Sequence, residues 1–181
     1  MVGWILLTFW MSANSTAVQA PAFKHVRSAE SEVRALIADG YGRSATFKGL
    51  VDRVEHLSGV VYVASTVKLS QGMSGALLHR AAGMREMPVL RVLVKTNLAR
   101  DEAISVIAHE LQHVIEAVSG LPASGEFSIS AAFDTLDPTA RARGVREYET
   151  EAAIDVTAKV RSELQRRDRR GCEGSLQRSL C

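Results

Sequence analysis

Two of the five histidines in this 181-residue chain stand four positions apart in VIAHELQHVIEA, Val106–Ala117. They are His109 and His113, and Glu110 directly follows the first. Residues at i and i+4 lie one above the other on a helix. Two imidazoles so placed can reach one divalent cation with bonds of about 2.0–2.1 Å. Glu110 lies round the helix beside that point, where a carboxylate can take a proton from water that a cation has acidified. From the chain's own His and Glu content, His-Glu-x-x-His is expected by chance in about one of a hundred such chains. A helical wheel puts Ile104, Ile107, Ala108, Leu111, Ile115 and Val118 on one stripe, the face expected to be buried. His109 and His113 point almost opposite, beside Glu102, Val106 and Glu116. They therefore read as ligands or as solvent-facing histidines rather than as core residues.

A catalytic zinc site needs a third protein ligand and one open position. HELQH resembles the H-E-x-x-H signature of the zincin metallopeptidases. The metzincin subgroup continues H-x-x-G-x-x-H, but here Glu116 and Ser119 stand where its glycine and histidine belong, which rules that subgroup out. The gluzincin subgroup adds a glutamate on a later helix, commonly as E-x-x-x-D, and this chain carries EAAID, Glu151–Asp155. The resemblance implies Zn2+ held by His109, His113 and Glu151. It makes Asp155 the acceptor that orients a ligand histidine through its other ring nitrogen. It gives Glu110 the part of general base in peptide-bond hydrolysis. It also implies a strand edge beside the site helix, which an extended peptide joins. VLRVLVKT, Val89–Thr96, directly precedes the helix and is the expected strand. An oxyanion donor is expected too, with Tyr148 or Arg146 as candidates near the third ligand. The resemblance covers the two site helices well, while the N-terminal helices and the long loop match nothing in it.

The residues themselves leave choices open. On the last expected helix Glu147, Glu151 and Asp155 share a face, with Val145, Val156, Val160 and Leu164 round the other side. An acidic stripe facing two histidines suits a dication; the alternative is a solvated acidic face. Glu147 and Glu149 compete with Glu151 as ligand, and Glu149 points away from the Glu151 face. Glu116, one turn past His113, stands at best behind a ligand. Two other functions fit the same residues: a zincin-fold protein whose metal is only structural, and an exported binding or interaction module whose histidines bind nothing.

The elements that must position these groups follow from periodicity. SAESEVRALIADG reads as a helix with Val33, Leu36 and Ile37 on one face and Gly40 as its stop. SATFKGLVDRVEHLSG reads as a second helix, capped by Ser44, with Phe47, Leu50, Val51, Val54 and Leu57 on a stripe and Gly59 at its end. GVVYVAST is β-branched and aromatic, as strands are. SGALLHRAAGMREMPVLRVLVKT holds a second and third strand, with Pro88 at the start of the third. In that third strand Leu90, Val92 and Val94 form an apolar face and the other face is mixed, which suits a place near an edge. The site helix follows, with Asp101 and Glu102 in its first turn and Gly120 after its last. Leu121–Asp137 reads as a loop able to cover the site, and the last helix starts at Asp137 and Pro138, with Gly144 as a break. His25, His56 and His79 read as structural. Segregated blocks of helix and strand mean α+β. The expected architecture is a small zincin-like domain, with a short, mostly antiparallel sheet of about three strands packed on the site helix, a C-terminal ligand helix and N-terminal helices.

Length allows one domain with a real core. A net charge of +2 is too small to argue for nucleic acid. The basic run RRDRR, Arg166–Arg170, has no interleaved aromatics and reads as a solvated helix end. WILLTFWM is too short to span a bilayer, which takes about 20 apolar residues. With STAVQAPA behind it, this run reads as a secretory signal, although no Lys or Arg precedes it. The expected organisation is 1–20 signal peptide, 21–170 catalytic domain and 171–181 tail, in an exported (periplasmic or extracellular) protein. Cys172 and Cys181 then pair as one disulfide or stay free thiols, and their distance from the histidines removes them as zinc ligands. The expected partner is a peptide or protein substrate, with no nucleic acid and no stable membrane span.

Overall fold

The computed structural model describes residues 21–69, 72–79, 89–119 and 149–176. In chain order the elements are β1 (Val26–Arg27), α1 (Ser31–Arg43), α2 (Ala45–Glu55), β2 (Val60–Thr66), β3 (Gly75–His79), β4 (Val89–Lys95), α3 (Arg100–Ser119) and α4 (Glu151–Leu176). They form a small α+β domain with a mixed four-stranded sheet in the order β1-β2-β4-β3. The signal segment, Pro88, the Leu121–Asp137 loop, Gly144, Arg146, Glu147, Tyr148 and Cys181 lie outside the described residues. No helix among the described residues is long and apolar enough to cross a membrane.

The sheet corrects the expectation of about three mostly antiparallel strands. β1 pairs parallel with β2, and β2 parallel with β4; only β3 and β4 are antiparallel. β1 is two residues long and carries no alternation to read. Its parallel pairing is made possible by α1 and α2, which form the long crossover such a pair needs. β4 is likewise not an edge strand, because it lies between β2 and β3. Its mixed face is the outward face of a sheet that the described helices cover on one side: Val89 is 41% exposed and Tyr62 on β2 40%. Leu90, Val92 and Val94 point the other way into the core.

The helices pack on that inner face. α3 lies against β3 and β4, α1 against β2, α2 against β1, and α4 runs along α3 and also touches α1 and α2. The core joins Ile37, Phe47, Val51, Val63, Leu90, Ile104, Leu111 and Leu164. Ser44 caps α2, its Oγ accepting the Phe47 N–H at 3.0 Å, and its hydroxyl donates to Glu163 on α4 at 2.6 Å. Gly40 does not stop α1, which continues to Arg43. A Cβ there would lie 2.8 Å from Ile104 Cγ2, so the glycine serves close approach of α1 to α3.

α3 is enclosed more completely than a single buried stripe implies. The expected apolar stripe is inside except for half-buried Val118, but Val106, Glu110, Gln112 and His113 are buried as well. The sheet covers one side of the helix and α4 another. The histidines face the α3–α4 seam, not solvent. α4 begins at Glu151 and runs to Leu176, past the boundary expected at residue 170.

Candidate metal centre

The seam between α3 and α4 is built by two short periodicities. On α4, Ala153, Val160 and Leu164 are fully buried and Thr157 is half-buried. These positions follow i, i+4, i+7, i+11 and face α3. On α3, one turn of helix separates His109 from His113, and their rings meet edge to face with centroids 4.7 Å apart.

The hydrogen bonds behind the rings are all met when each Nδ1 carries the proton. The Thr157 hydroxyl donates to the Ala153 carbonyl at 2.8 Å, so its oxygen accepts the His109 Nδ1–H at 3.0 Å. His113 Nδ1–H donates to the Glu116 carboxylate at 3.1 Å. Burial pushes the Glu116 carboxyl up, but hydrogen bonds from His113, Gln112 and Thr150 together hold it below its ordinary value, so it is an anion. Neutral rings held this way carry their lone pairs on Nε2, and the two Nε2 atoms are 3.1 Å apart. Lone pairs at that distance repel unless a cation lies between them. A shared proton is disfavoured, because burial and then the neighbouring His113 hold His109 below its ordinary 6.5. Two ligands at about 2.05 Å in a tetrahedral site stand about 3.3 Å apart, so the spacing suits a metal ion.

A carboxylate completes the group. Glu149 Oε1 is 3.3 Å from His109 Nε2. One donor atom each from His109, His113 and Glu149 lies within 4.8 Å of the others. Two imidazoles and a carboxylate are a donor set that zinc and related divalent ions accept.

Glu151 and Asp155 are not part of this group. Both are exposed. Each is two residues from Ala153, about 200° round the helix and therefore on its far side from α3. The third donor comes instead from Glu149, which precedes α4. Thr150 is the N-cap: its Oγ1 accepts the Ala153 N–H at 3.2 Å, and its carbonyl accepts the Ile154 N–H at 3.1 Å. Treating 147–155 as continuous helix turned Glu149 away; the cap at Thr150 frees it from that wheel. The signal in the sequence is Thr150 itself, a threonine followed by an acidic first turn. The orienting part expected of Asp155 falls to Thr157 for His109 and to Glu116 for His113. Sequence reasoning missed Thr157, and a threonine one turn past a buried alanine gave no reason to single it out.

Glu110 sits on the sheet side of the site helix and is only 6% exposed. Burial pushes its carboxyl up to about 7, with His113 opposing and Glu149 adding to the rise. No hydrogen bond to this carboxylate is found among the described residues. It packs against β3, where Gly75 leaves the room it occupies: a Cβ on Gly75 would lie 2.5 Å from Glu110 Oε1. β3 is one of the two terminal strands of the sheet among the described residues and the one against α3, so the strand edge beside the site helix belongs to β3 and not to β4.

No family model matches the chain, and no curated protein or solved structure matches it either.

Proposed function

We propose that the chain is a zinc-dependent peptidase, exported, of the zincin-like kind that HELQH resembles, with His109, His113 and Glu149 as its ligands. The observation that carries the reading is the pair of Nε2 atoms 3.1 Å apart, with both Nδ1 protons committed to acceptors behind the rings. Neutral imidazoles oriented by an outer acceptor are what metal binding requires. Bound zinc would supply Lewis acidity that makes water a nucleophile near neutral pH.

The protein's own groups supply the rest. Glu110 is a carboxylate without a hydrogen-bond partner among the described residues, one position from a ligand. It accepts a proton from the attacking water and delivers it to the leaving amine. Its near-complete burial keeps bulk water from competing for that proton. The edge of β3 that no described strand pairs with is the surface to which an extended peptide adds as a further strand, with main-chain hydrogen bonds giving register. Gly75 lies on this strand, and its α3-facing side meets Glu110, so the strand and the base are in contact. Peptide is favoured as substrate for this reason.

Zinc analysis of the purified protein, with peptide-library hydrolysis by wild type and Glu110→Gln, tests the reading. About one zinc per chain in both proteins, with hydrolysis only by the wild type, is expected. Zinc in both with hydrolysis in neither would make the metal structural. A folded wild type that takes up no zinc would sink the proposal.

A further inference from the structure

Glu116 and Thr150 link the two halves of the candidate site. Glu116 lies one turn beyond His113 and takes three donors: His113 Nδ1–H at 3.1 Å, the Gln112 amide at 2.8 Å, and the Thr150 hydroxyl at 3.0 and 3.1 Å to its two oxygens. Thr150 is the cap of α4 and the immediate neighbour of Glu149. The same carboxylate thus orients one imidazole and grips the residue beside the third ligand. Glu149 needs such help. It lies outside any helix, and its side chain is 60% exposed. Among the described residues its carboxylate meets the His109 ring at 3.3 Å, and packing does not enclose it as it encloses His113.

We infer that Glu116 and Thr150 form a clasp that positions the metal ligands, Glu116 fixing the His113 ring with Nε2 towards the site and Thr150 bringing Glu149 over the two imidazoles. This rests on the metal reading above. Both are positioning residues, since each acts through a ligand.

The clasp can be separated from ordinary helix capping. Thr150→Asp keeps a side-chain acceptor for the Ala153 N–H and adds a charge that suits a helix N-terminus. It also sets a second carboxylate against Glu116 in place of a donor. Thr150→Ser keeps both functions. Glu116→Ala removes the grip on both sides. Zinc affinity by competition with a chromophoric chelator should fall on the order of 10- to 100-fold in Thr150→Asp and Glu116→Ala, and stay within about twofold of wild type in Thr150→Ser. The absorption of the Co2+ form should weaken in the first two, as the site loses a protein ligand and takes on water. Circular dichroism and a cooperative thermal transition of metal-free Thr150→Asp like those of the wild type show that the fold is intact. A Thr150→Asp protein that binds zinc as tightly as wild type would reduce Thr150 to a cap and overturn the inference.

A metal-free readout keeps the two readings apart. The 15N shifts of the His113 ring should report the Nδ1–H tautomer in the wild type and a shift towards Nε2–H in Glu116→Ala. If the wild type binds no zinc, the metal reading fails, and this arm alone decides the clasp. An unchanged tautomer in Glu116→Ala would overturn it.

Discussion

Gly75 on the terminal strand and Glu110 on the site helix are in direct contact, and only the missing side chain of the glycine makes that possible. A Cβ there would stand 2.5 Å from Glu110 Oε1 and 2.7 Å from Val106 Cγ1. Gly75→Ala must therefore rotate Glu110 or push β3 off α3. A misplacement of that kind is expected to lower kcat by about 10- to 100-fold. Zinc content should not change, since neither ligand histidine is touched. Steady-state kinetics with metal analysis checks this, and an unchanged kcat would count against Glu110 as the base.

The two carboxylates at the start of α4 differ sharply in expected effect. Glu149 is 3.3 Å from His109 Nε2, whereas Glu151 is exposed on the far side of the helix. Glu149→Ala should weaken zinc binding by more than the roughly 10- to 100-fold typical of outer partners, and Glu151→Ala should leave it unchanged. Chelator competition on both variants decides between them. The reverse pattern would restore the E-x-x-x-D assignment.

Gly40 offers a test of the packing that supports the site helix. Alanine favours a helix over glycine by about 1 kcal/mol, so propensity alone predicts stabilisation by Gly40→Ala. The added methyl would instead meet Ile104 Cγ2 at 2.8 Å and the Phe47 ring at 3.1 Å. Overpacking of this kind costs about 1–3 kcal/mol, and the net change should be destabilising. Urea denaturation of the two proteins measures it.

Acid should loosen the β1 end of the domain. The Glu55 carboxylate accepts the N–H groups of Lys24, His25 and Val26 at 2.8, 2.8 and 2.9 Å. Burial pushes its carboxyl up, but those three bonds outweigh burial and hold it below its ordinary 4.5. A depressed carboxyl contributes its full stability above the ordinary value and loses it as pH falls through the folded value. Between about pH 5 and about pH 3 the thermal midpoint of the wild type should therefore drop more steeply than that of Glu55→Gln. Equal slopes would mean that the three bonds add no stability.

How much of this was legible in the chain depended on whether the signal was local. The histidine pair was, because i, i+4 spacing on a strongly periodic segment fixes relative geometry. Ser44 as a cap and Phe47, Leu50, Val51 and Val54 as a buried stripe were legible for the same reason. The parallel sheet was not: β1 is too short to show a period, and pairing of Val26 with Val61 is a long-range choice. The mixed face of β4 resembled an edge because exposure of a face and lack of a neighbour leave the same alternation. Glu149, rather than Glu151, lies beside the histidines, and a wheel drawn through Thr150 hides this because it ignores the cap that starts the helix there. Gly40 showed the converse error, a glycine taken for a stop where the chain needed only its small size.

The most direct test of the account is a crystal structure of the zinc-soaked protein with anomalous data collected across the zinc edge. One strong peak is expected in the α3–α4 seam, about 2.0–2.1 Å from His109 Nε2 and His113 Nε2 and in bonding distance of a Glu149 oxygen. A seam without a peak, its two histidines hydrogen-bonded to each other, would contradict it.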